Sequence, residues 1–283
     1  MSASLSTPRE RPIAVFDSGV GGLTVLQELL VELPHEDFLY LGDTARFPYG
    51  ERSPAELERF ALEIAEYLLG RRAKLLVVAC NAASSAALDA LRERMLSTTL
   101  GVEVVGVIEP ESRIAAERSI NRRIGLLATP ATVASGAYAR AVRAHAPDAT
   151  LTEVACPHLA PMIQDGFPIN ARLVEAVREC CAPLREAGVD TVILGCTHYP
   201  LIAPMLQRML GSGVSMITSG RALALSIAGS LERAGLASRA TGEGDYRFMC
   251  TGDVEAFRAV GSHFLQLPID RVEHVELSSA VAA

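Results

Sequence analysis

The chain lacks tryptophan, contains one lysine and has no apolar run long enough to cross a bilayer. Aromatic residues make up 5% of its 283 residues, and 33 acidic side chains outnumber 26 basic ones, for a formal net charge of −7. A nucleic-acid-binding surface needs basic patches and aromatic side chains, and this composition argues against one. A spanning helix needs about 18 apolar residues in a row, so none is predicted. We expect neither nucleic acid nor a membrane as partner.

The cysteines and the start of the chain indicate a reducing compartment. Six cysteines in 283 residues are too few for a disulfide framework. Residues 1–11 are polar and have no apolar centre of the kind that a signal peptide carries. We therefore expect a cytoplasmic protein with reduced thiols.

Apolar segments alternate with helical patterns along the chain. The apolar runs predict strands at 13–16, 38–41, 75–79, 104–108, 124–128, 150–155 and 191–194. The segments between them predict helices at 22–32, 54–70, 83–95, 132–146, 169–187 and 200–210. This alternation predicts an α/β fold with doubly wound, mostly parallel sheets.

The two halves of the chain share a pattern of strand, loop, helix and cysteine. In the first half a strand runs into a loop that begins at Asp17, and a later strand ends at Cys80, 63 residues further on. In the second half the corresponding loop begins at Thr129, and Cys196 follows 67 residues later. The repetition predicts two pseudo-symmetric domains with a ligand site in the cleft between them. The first domain is predicted to comprise residues 1–106 and 217–283, and the second residues 107–216. The segment 216–277 is expected to cross back and complete the first domain.

The carboxyl ends of the predicted strands carry the polar residues that could perform chemistry, because ligands bind there in open α/β sheets. The glycine-rich loop Asp17-Ser18-Gly19-Val20-Gly21-Gly22 offers backbone N–H groups to an anion. A second loop, 42–50, mixes polar, aromatic and turn residues. The third and fourth contain Cys80-Asn81 and Cys196-Thr197-His198.

Two thiols that face each other across a cleft suit the inversion of a stereocentre, because one group removes a proton and the other returns one to the opposite face. Each thiol is expected beside a helix N-terminus, where the dipole and free amides lower its pKa. Asp17 and His198 are neighbours that can tune those pKa values. The remaining cysteines fit structural roles: Cys156, Cys180, Cys181 and Cys250.

Several motifs together resemble the glutamate racemases over almost the whole chain. They are the segment 15–25, Gly42-Asp43-Thr44 with Pro48-Tyr49-Gly50, Val78-Ala79-Cys80-Asn81, the segment 125–132, Gly195-Cys196-Thr197-His198-Tyr199-Pro200, and Thr251-Gly252-Asp253. The resemblance implies an enzyme without cofactor or metal that interconverts L- and D-glutamate and supplies D-glutamate for peptidoglycan. It also implies two acid/base thiols, Cys80 for the D-isomer and Cys196 for the L-isomer. The implied substrate contacts are Asp17, Ser18, Tyr49, Gly50, Asn81, Ala82, Thr197 and His198.

Two positions depart from the family pattern. Ala82 stands where the family commonly has a hydroxyl residue, so backbone, Ser84 or Ser85 would have to supply that hydrogen bond. Gln164 stands where a glutamate is usual, and Asp165 is the acidic residue that could replace it. Neither difference affects the two thiols.

Other functions stay open at this stage. They include a related racemase acting on aspartate or a similar acid, a non-catalytic two-domain binding protein, and a zinc site at Cys156, His158, Cys196 and His198. A pyridoxal enzyme needs a lysine in its cleft. Lys74 is expected in an exposed turn at the amino end of its strand, on the wrong side. The sequence does not fix the oligomeric state and leaves a homodimer open.

Overall fold

The computed structural model describes residues 7–97, 101–166 and 170–277, which form two parallel β-sheets flanked by helices. Ile169, the first residue of one predicted helix, lies outside the described residues, as do residues 1–6 of the polar N-terminal segment. The strands are β1 (Ile13–Asp17), β2 (Phe38–Gly42), β3 (Leu75–Val78), β4 (Glu103–Gly106), β5 (Arg123–Ala128), β6 (Thr150–Ala155), β7 (Thr191–Gly195), β8 (Ser215–Ile217), β9 (Tyr246–Cys250) and β10 (Val272–His274).

The helices lie between the strands, as the alternating sequence pattern predicts. They are α1 (Leu23–Glu32), α2 (Pro54–Gly70), α3 (Asn81–Ser97), α4 (Ile108–Arg118), α5 (Pro130–Ala134), α6 (Ala137–His145), α7 (Leu159–Gln164), α8 (Ala171–Glu186), α9 (Ala203–Leu210), α10 (Ser219–Ala234) and α11 (Val254–Leu265). No helix within the described residues is long and apolar enough to cross a membrane.

The two sheets repeat one strand order. The six-stranded sheet has the order β10-β9-β2-β1-β3-β4 and the four-stranded sheet β6-β5-β7-β8, with all neighbours parallel. In each sheet the first strand of the half lies between the second and the third. The winding therefore reverses between β1 and β3 and again between β5 and β7, and ligands bind at such reversal points. The predicted fold class is confirmed.

Burial and capping explain why these segments fold as they do. Strands β1, β2, β3 and β7 are buried along their whole length, which is why their sequences are continuously apolar. Helix α2 begins with a capping box, in which Ser53 Oγ accepts from the Glu56 N–H and the Glu56 carboxylate accepts from the Ser53 N–H. The predicted bounds of that helix are confirmed.

Most predicted elements differ in their bounds from the observed ones, and three of these differences have an identifiable local cause. The helix expected at 132–146 is divided into α5 and α6, because Gly136 takes a left-handed φ of 64° between them. The segment expected as helix 200–210 starts as a 3₁₀ turn, Tyr199–Ile202, since Pro204 has no N–H to donate back to residue 200. The strand expected at 104–108 ends at Gly106, and α4 begins at Ile108 with Pro110 in its first turn.

The last third of the chain returns to the first sheet. Strand β8 still pairs with β7, so the crossing begins after Ile217. Helix α10 then packs against both α1 and α4, and β9 and β10 extend the six-stranded sheet beyond β2. Strands β9 and β10 of the tail are thus the outer strands of the first sheet on the β2 side.

Lys74 is buried, which corrects the expectation of an exposed turn. Its side chain is 1% exposed and forms an ion pair with Glu36, which is 4% exposed. The Nζ also donates to the carbonyl oxygens of Arg9 at 2.6 Å and Leu236 at 3.0 Å. A buried ammonium needs such partners, and here they are supplied where the chain enters β3. The expected position at the amino end of the sheet is correct.

Candidate active site

A small cavity lies where the carboxyl ends of the two sheets meet, the place at which ligands bind in such folds. Every predicted site residue lines it except Asp17, which is fully buried behind the wall. The lining residues are Ser18, Phe47, Pro48, Tyr49, Gly50, Glu51, Cys80, Asn81, Ala82, Thr129, Pro157, Ala160, Pro161, Gly195, Cys196, Thr197 and His198.

The first sheet contributes Cys80, which lies two residues beyond the end of β3 and immediately before the first residue of α3. Its Sγ accepts a hydrogen bond from the Ala83 N–H at 3.5 Å. Asp17, at the end of β1, accepts from the Gly19 N–H at 2.8 Å and from Thr197 Oγ1 at 3.1 Å. Because Thr197 follows β7, this second bond joins the ends of the two sheets.

The second sheet contributes Cys196, directly after β7, with its Sγ 3.8 Å from His198 Nδ1. On the other side of the ring, Nε2 lies 2.7 Å from Gln164 Oε1, which also accepts from the Val20 N–H at 3.4 Å. An amide oxygen can only accept, so the proton of the neutral ring is on Nε2 and the Nδ1 lone pair faces the thiol. His198 packs against Phe47 and Phe264 at centroid distances of 5.5 and 5.4 Å.

Burial raises the pKa values of both thiols, which corrects the expectation that helix N-termini lower them. Desolvation raises the pKa of Cys80 to about 12, and the charge of Asp17 adds to the increase. Desolvation also raises the pKa of Cys196 despite a backbone hydrogen bond. Asp17 itself is raised to a pKa of about 6, and burial lowers the pKa of His198 to about 3. In the free protein both thiols are therefore protonated at neutral pH.

The loop that carries Tyr49 is fixed by buried charges. The Tyr49 hydroxyl donates to Asp43 Oδ2, and Thr251 Oγ1 donates to Asp43 Oδ1 at 2.7 Å. Arg46 forms ion pairs with Asp43 and Glu63. The Tyr49 hydroxyl is therefore already occupied, and what this loop can offer a ligand in the cavity is its backbone.

Gly50 allows this loop to approach the second half of the chain. A Cβ at Gly50 would lie 2.8 Å from Thr129 Cβ, closer than carbon atoms can pack. Thr129 lines the cavity but was not among the predicted site residues. Its position in the loop that corresponds to Asp17 was the sequence signal that could have identified it.

The two departures from the family pattern have no substitute nearby. Ser84 Oγ donates to the Val78 carbonyl at 2.9 Å and Ser85 Oγ to the Ala82 carbonyl at 2.8 Å, so neither hydroxyl faces the cavity. The backbone is then the remaining donor near Ala82. Asp165 is exposed and does not line the cavity, so it does not replace a glutamate at position 164.

The alternative zinc site is not assembled. Among the described residues, no group of three or more His, Cys, Asp or Glu side chains stands close enough to hold a metal ion. Cys156, His158, Cys196 and His198 therefore form no such cluster.

Comparison with known proteins identifies the class of protein as an amino-acid racemase. Residues 24–227 match the family model "Asp/Glu/Hydantoin racemase". A glutamate racemase of Listeria monocytogenes is 40% identical over 268 residues, 95% of this chain and 99% of the relative. The chain belongs to the Asp/Glu/Hydantoin racemase family and is an isomerase.

Solved structures agree with this assignment. A glutamate racemase isoform from Bacillus anthracis superposes with a TM-score of 0.89 at 36% identity, covering 95% of this chain and 98% of that one. The glutamate racemase of Francisella tularensis, solved in complex with D-glutamate, superposes with a TM-score of 0.87 at 32% identity, covering 96% and 99%.

Proposed function

We propose that this protein interconverts L- and D-glutamate by moving the α-proton between two thiols, Cys80 and Cys196. The observation that carries the proposal is one cavity lined by a strand-end cysteine from each of two sheets with the same topology. The relatives named glutamate racemases, at 40% identity over nearly the whole chain, support glutamate as the substrate.

The reaction from L- to D-glutamate starts at Cys196. Substrate binding lowers the pKa of the Cys196 thiol, which loses its proton to solvent, and the thiolate then removes the α-proton of the substrate. The electron pair is left on the α-carbon and is shared with the α-carboxylate. Cys80 donates its proton to the opposite face, which completes the inversion and leaves a thiolate at Cys80. The reverse reaction uses that thiolate as the base.

The polar groups around the cavity match the charged groups of glutamate. Ser18 and Thr197, with the backbone N–H groups of Gly50 and Ala82, are suited to the two carboxylates. The amide oxygen of Asn81 is suited to the ammonium, and the negative charge of Asp17 behind the wall attracts it. Positive charge from that ammonium lowers the pKa values of the thiols, so substrate binding opposes the effect of burial.

The wider biological setting is also part of the proposal. The enzyme works in the cytoplasm without a cofactor and supplies D-glutamate for peptidoglycan. Its two domains are residues 1–106 with 217–283 and residues 107–216. Each domain contains the strands of one sheet, except that β8 of the second sheet extends to Ile217. A homodimer is the assembly to test first, by light scattering of the purified protein.

Deuterium incorporation tests the two-thiol mechanism. Purified protein with L-glutamate in deuterated water, and no added cofactor, should yield D-glutamate that carries deuterium at the α-carbon. The remaining L-glutamate should acquire little at early times, because the base that removes its proton is not the acid that delivers deuterium. Equal early deuteration of both isomers would indicate a single base.

The same assay separates the alternative functions. Racemisation of aspartate in preference to glutamate would identify the related racemase, and glutamate binding without loss of optical rotation would identify a binding protein.

A further inference from the structure

A buried carboxylate, Glu111 of α4, lies behind the cavity without lining it. Glu111 Oε1 accepts from the Ser219 hydroxyl, and Oε2 accepts from the Tyr138 hydroxyl. Asn81 Nδ2 lies 2.7 Å from Tyr138 Oη and 3.4 Å from Glu111 Oε2. The four residues come from four different helices, α3, α4, α6 and α10, and of the four Asn81 alone reaches the cavity wall.

The hydrogen bonds in this cluster run in one direction and fix the orientation of the Asn81 amide. The Tyr138 hydroxyl has one proton, which it donates to Glu111 Oε2, so its lone pair is left to accept from Asn81 Nδ2. An amide oxygen in the same place could only accept and would find no donor. The Nδ2 end of Asn81 therefore faces the cluster and the Oδ1 end faces away from it.

Asn81 Oδ1 is a buried acceptor without a partner among the described residues. A buried acceptor of this kind lowers the stability of the folded protein unless a ligand supplies a hydrogen-bond donor. Both carboxylates of glutamate are ionised at neutral pH, so its ammonium is the group that can donate a hydrogen bond.

We propose that Glu111 is a positioning residue: through Tyr138 it orients Asn81 so that Oδ1 accepts a hydrogen bond from the ammonium of the substrate. The inference rests on the proposed function, since glutamate supplies the ammonium. Neither Glu111 nor Tyr138 touches the reacting atoms.

The orientation holds in both protonation states of Glu111. Burial raises the pKa of this carboxyl to about 8, although its three hydrogen-bond donors lower it. A proton on Oε1 can be donated to Ser219 Oγ, because a hydroxyl also accepts. Oε2 then stays free to accept from Tyr138, and the amide of Asn81 keeps its orientation. With the proton on Oε1, the geometry of the cluster is compatible with the protonated and the ionised carboxyl alike.

Two single-atom deletions in the full-length enzyme separate positioning from structural support. Tyr138→Phe and Ser219→Ala each remove one hydroxyl bonded to Glu111, but only Tyr138 contacts Asn81. We expect Tyr138→Phe to raise KM for both isomers about tenfold, with kcat changed less than about threefold, because the ammonium contact contributes to the ground state and the transition state alike. Ser219→Ala should keep KM within about twofold of the wild-type value.

Glutarate, the same diacid without the ammonium, provides the second readout. Calorimetric binding of glutarate should be unchanged by Tyr138→Phe, whereas binding of glutamate falls about tenfold. If Tyr138→Phe weakens glutarate as much as glutamate, or if Ser219→Ala matches Tyr138→Phe, the cluster is purely structural and the proposal is wrong. Binding needs no turnover, so failure of the wild type to racemise glutamate would overturn the proposed function separately.

Glu111 variants give a conservative rescue. Glu111→Gln keeps an oxygen that accepts from Tyr138 and gains an amide that donates to Ser219, so KM should stay within about threefold of wild type. Glu111→Met removes both contacts and should match or exceed the loss in Tyr138→Phe, with the melting temperature measured alongside. Equal KM values for Glu111→Gln and Glu111→Met would contradict the proposal.

Discussion

Cys80 and Cys196 occupy equivalent positions in two sheets of the same topology, but their neighbours differ in charge. Near Cys80 lies Asp17, whose negative charge raises the pKa of the thiol beyond the effect of burial. Beside Cys196 lies the neutral ring of His198, with a lone pair directed at the sulfur. The repeated fold supplies two similar proton carriers, and the local residues make them different. Asp17 raises the pKa of Cys196 as well, so the feature that distinguishes Cys196 is the neutral imidazole 3.8 Å from its Sγ.

Removing either thiol should have the largest effect on turnover. Cys80→Ala and Cys196→Ala should each lower racemisation in both directions by about 10³-fold or more, because inversion needs both proton carriers. Cys250→Ala is the matched control, since this buried cysteine lies at the end of β9 and does not line the cavity. Optical rotation of glutamate solutions measures all three variants.

Proton exchange in the same variants tests which thiol serves which isomer. Cys196→Ala should retain slow exchange of the α-proton of D-glutamate with solvent through Cys80, without inversion. Cys80→Ala should retain that exchange for L-glutamate. The reverse pattern, detected by NMR in deuterated water, would interchange the two roles.

Asp17 should give the activity an acid limb. With its pKa raised to about 6, the carboxylate is ionised above that pH and protonated below it. Protonation weakens its hydrogen bonds from Gly19 and Thr197 and its attraction for the ammonium, so kcat/KM should fall as pH decreases through about 6. A single protonation gives a slope of about tenfold per pH unit.

Asp17→Asn should remove this limb while lowering activity at all pH values. His198 is not an alternative source, since its pKa of about 3 is far lower. A limb near 6 that persists in Asp17→Asn would contradict the assignment.

The sequence predicted the elements that position the site, because buried parallel strands and glycine-rich loops leave local patterns. The strand-end positions of Cys80 and Cys196 followed from such patterns. The raised thiol pKa values did not, because desolvation depends on what the other half of the chain contributes. Lys74 was predicted to be exposed for the same reason: its partner Glu36 is 38 residues away in sequence. Glu111 was missed because the strand prediction ran to residue 108 and hid the start of α4.

Gln164→Glu should produce a smaller change, confined to the Cys196 side. A carboxylate beside His198 Nε2 favours the protonated ring and so raises the pKa of His198. A positively charged ring would in turn favour the Cys196 thiolate, the base that acts on L-glutamate. Because the equilibrium constant between enantiomers is unity, kcat/KM must rise equally in both directions, by about two- to fivefold.

The selective effect of Gln164→Glu on Cys196 should appear in the primary kinetic isotope effect. With α-deuterated substrates, the primary isotope effect should decrease more for L-glutamate than for D-glutamate, since proton removal by Cys196 becomes faster. Gln164→Met, which removes the hydrogen bond and adds no charge, is the control. Equal isotope effects for both isomers would show that Gln164 does not act on one thiol selectively.

Lys74 lies at the opposite end of the first sheet from both thiols, so its substitution should change turnover least and stability most. Lys74→Met leaves the buried carboxylate of Glu36 unpaired, which costs about 3–5 kcal/mol of unfolding free energy. Adding Glu36→Gln should recover part of that loss, because the uncompensated charge is removed.

Lys74→Arg keeps the charge, and its folded fraction should racemise glutamate within about twofold of wild type, because a thiol mechanism makes no imine with lysine. Urea unfolding, combined with activity measured per folded molecule, separates the effect on stability from the effect on turnover. If Lys74→Arg folds but loses activity, and added pyridoxal phosphate restores it, then neither Cys80 nor Cys196 is the primary proton carrier.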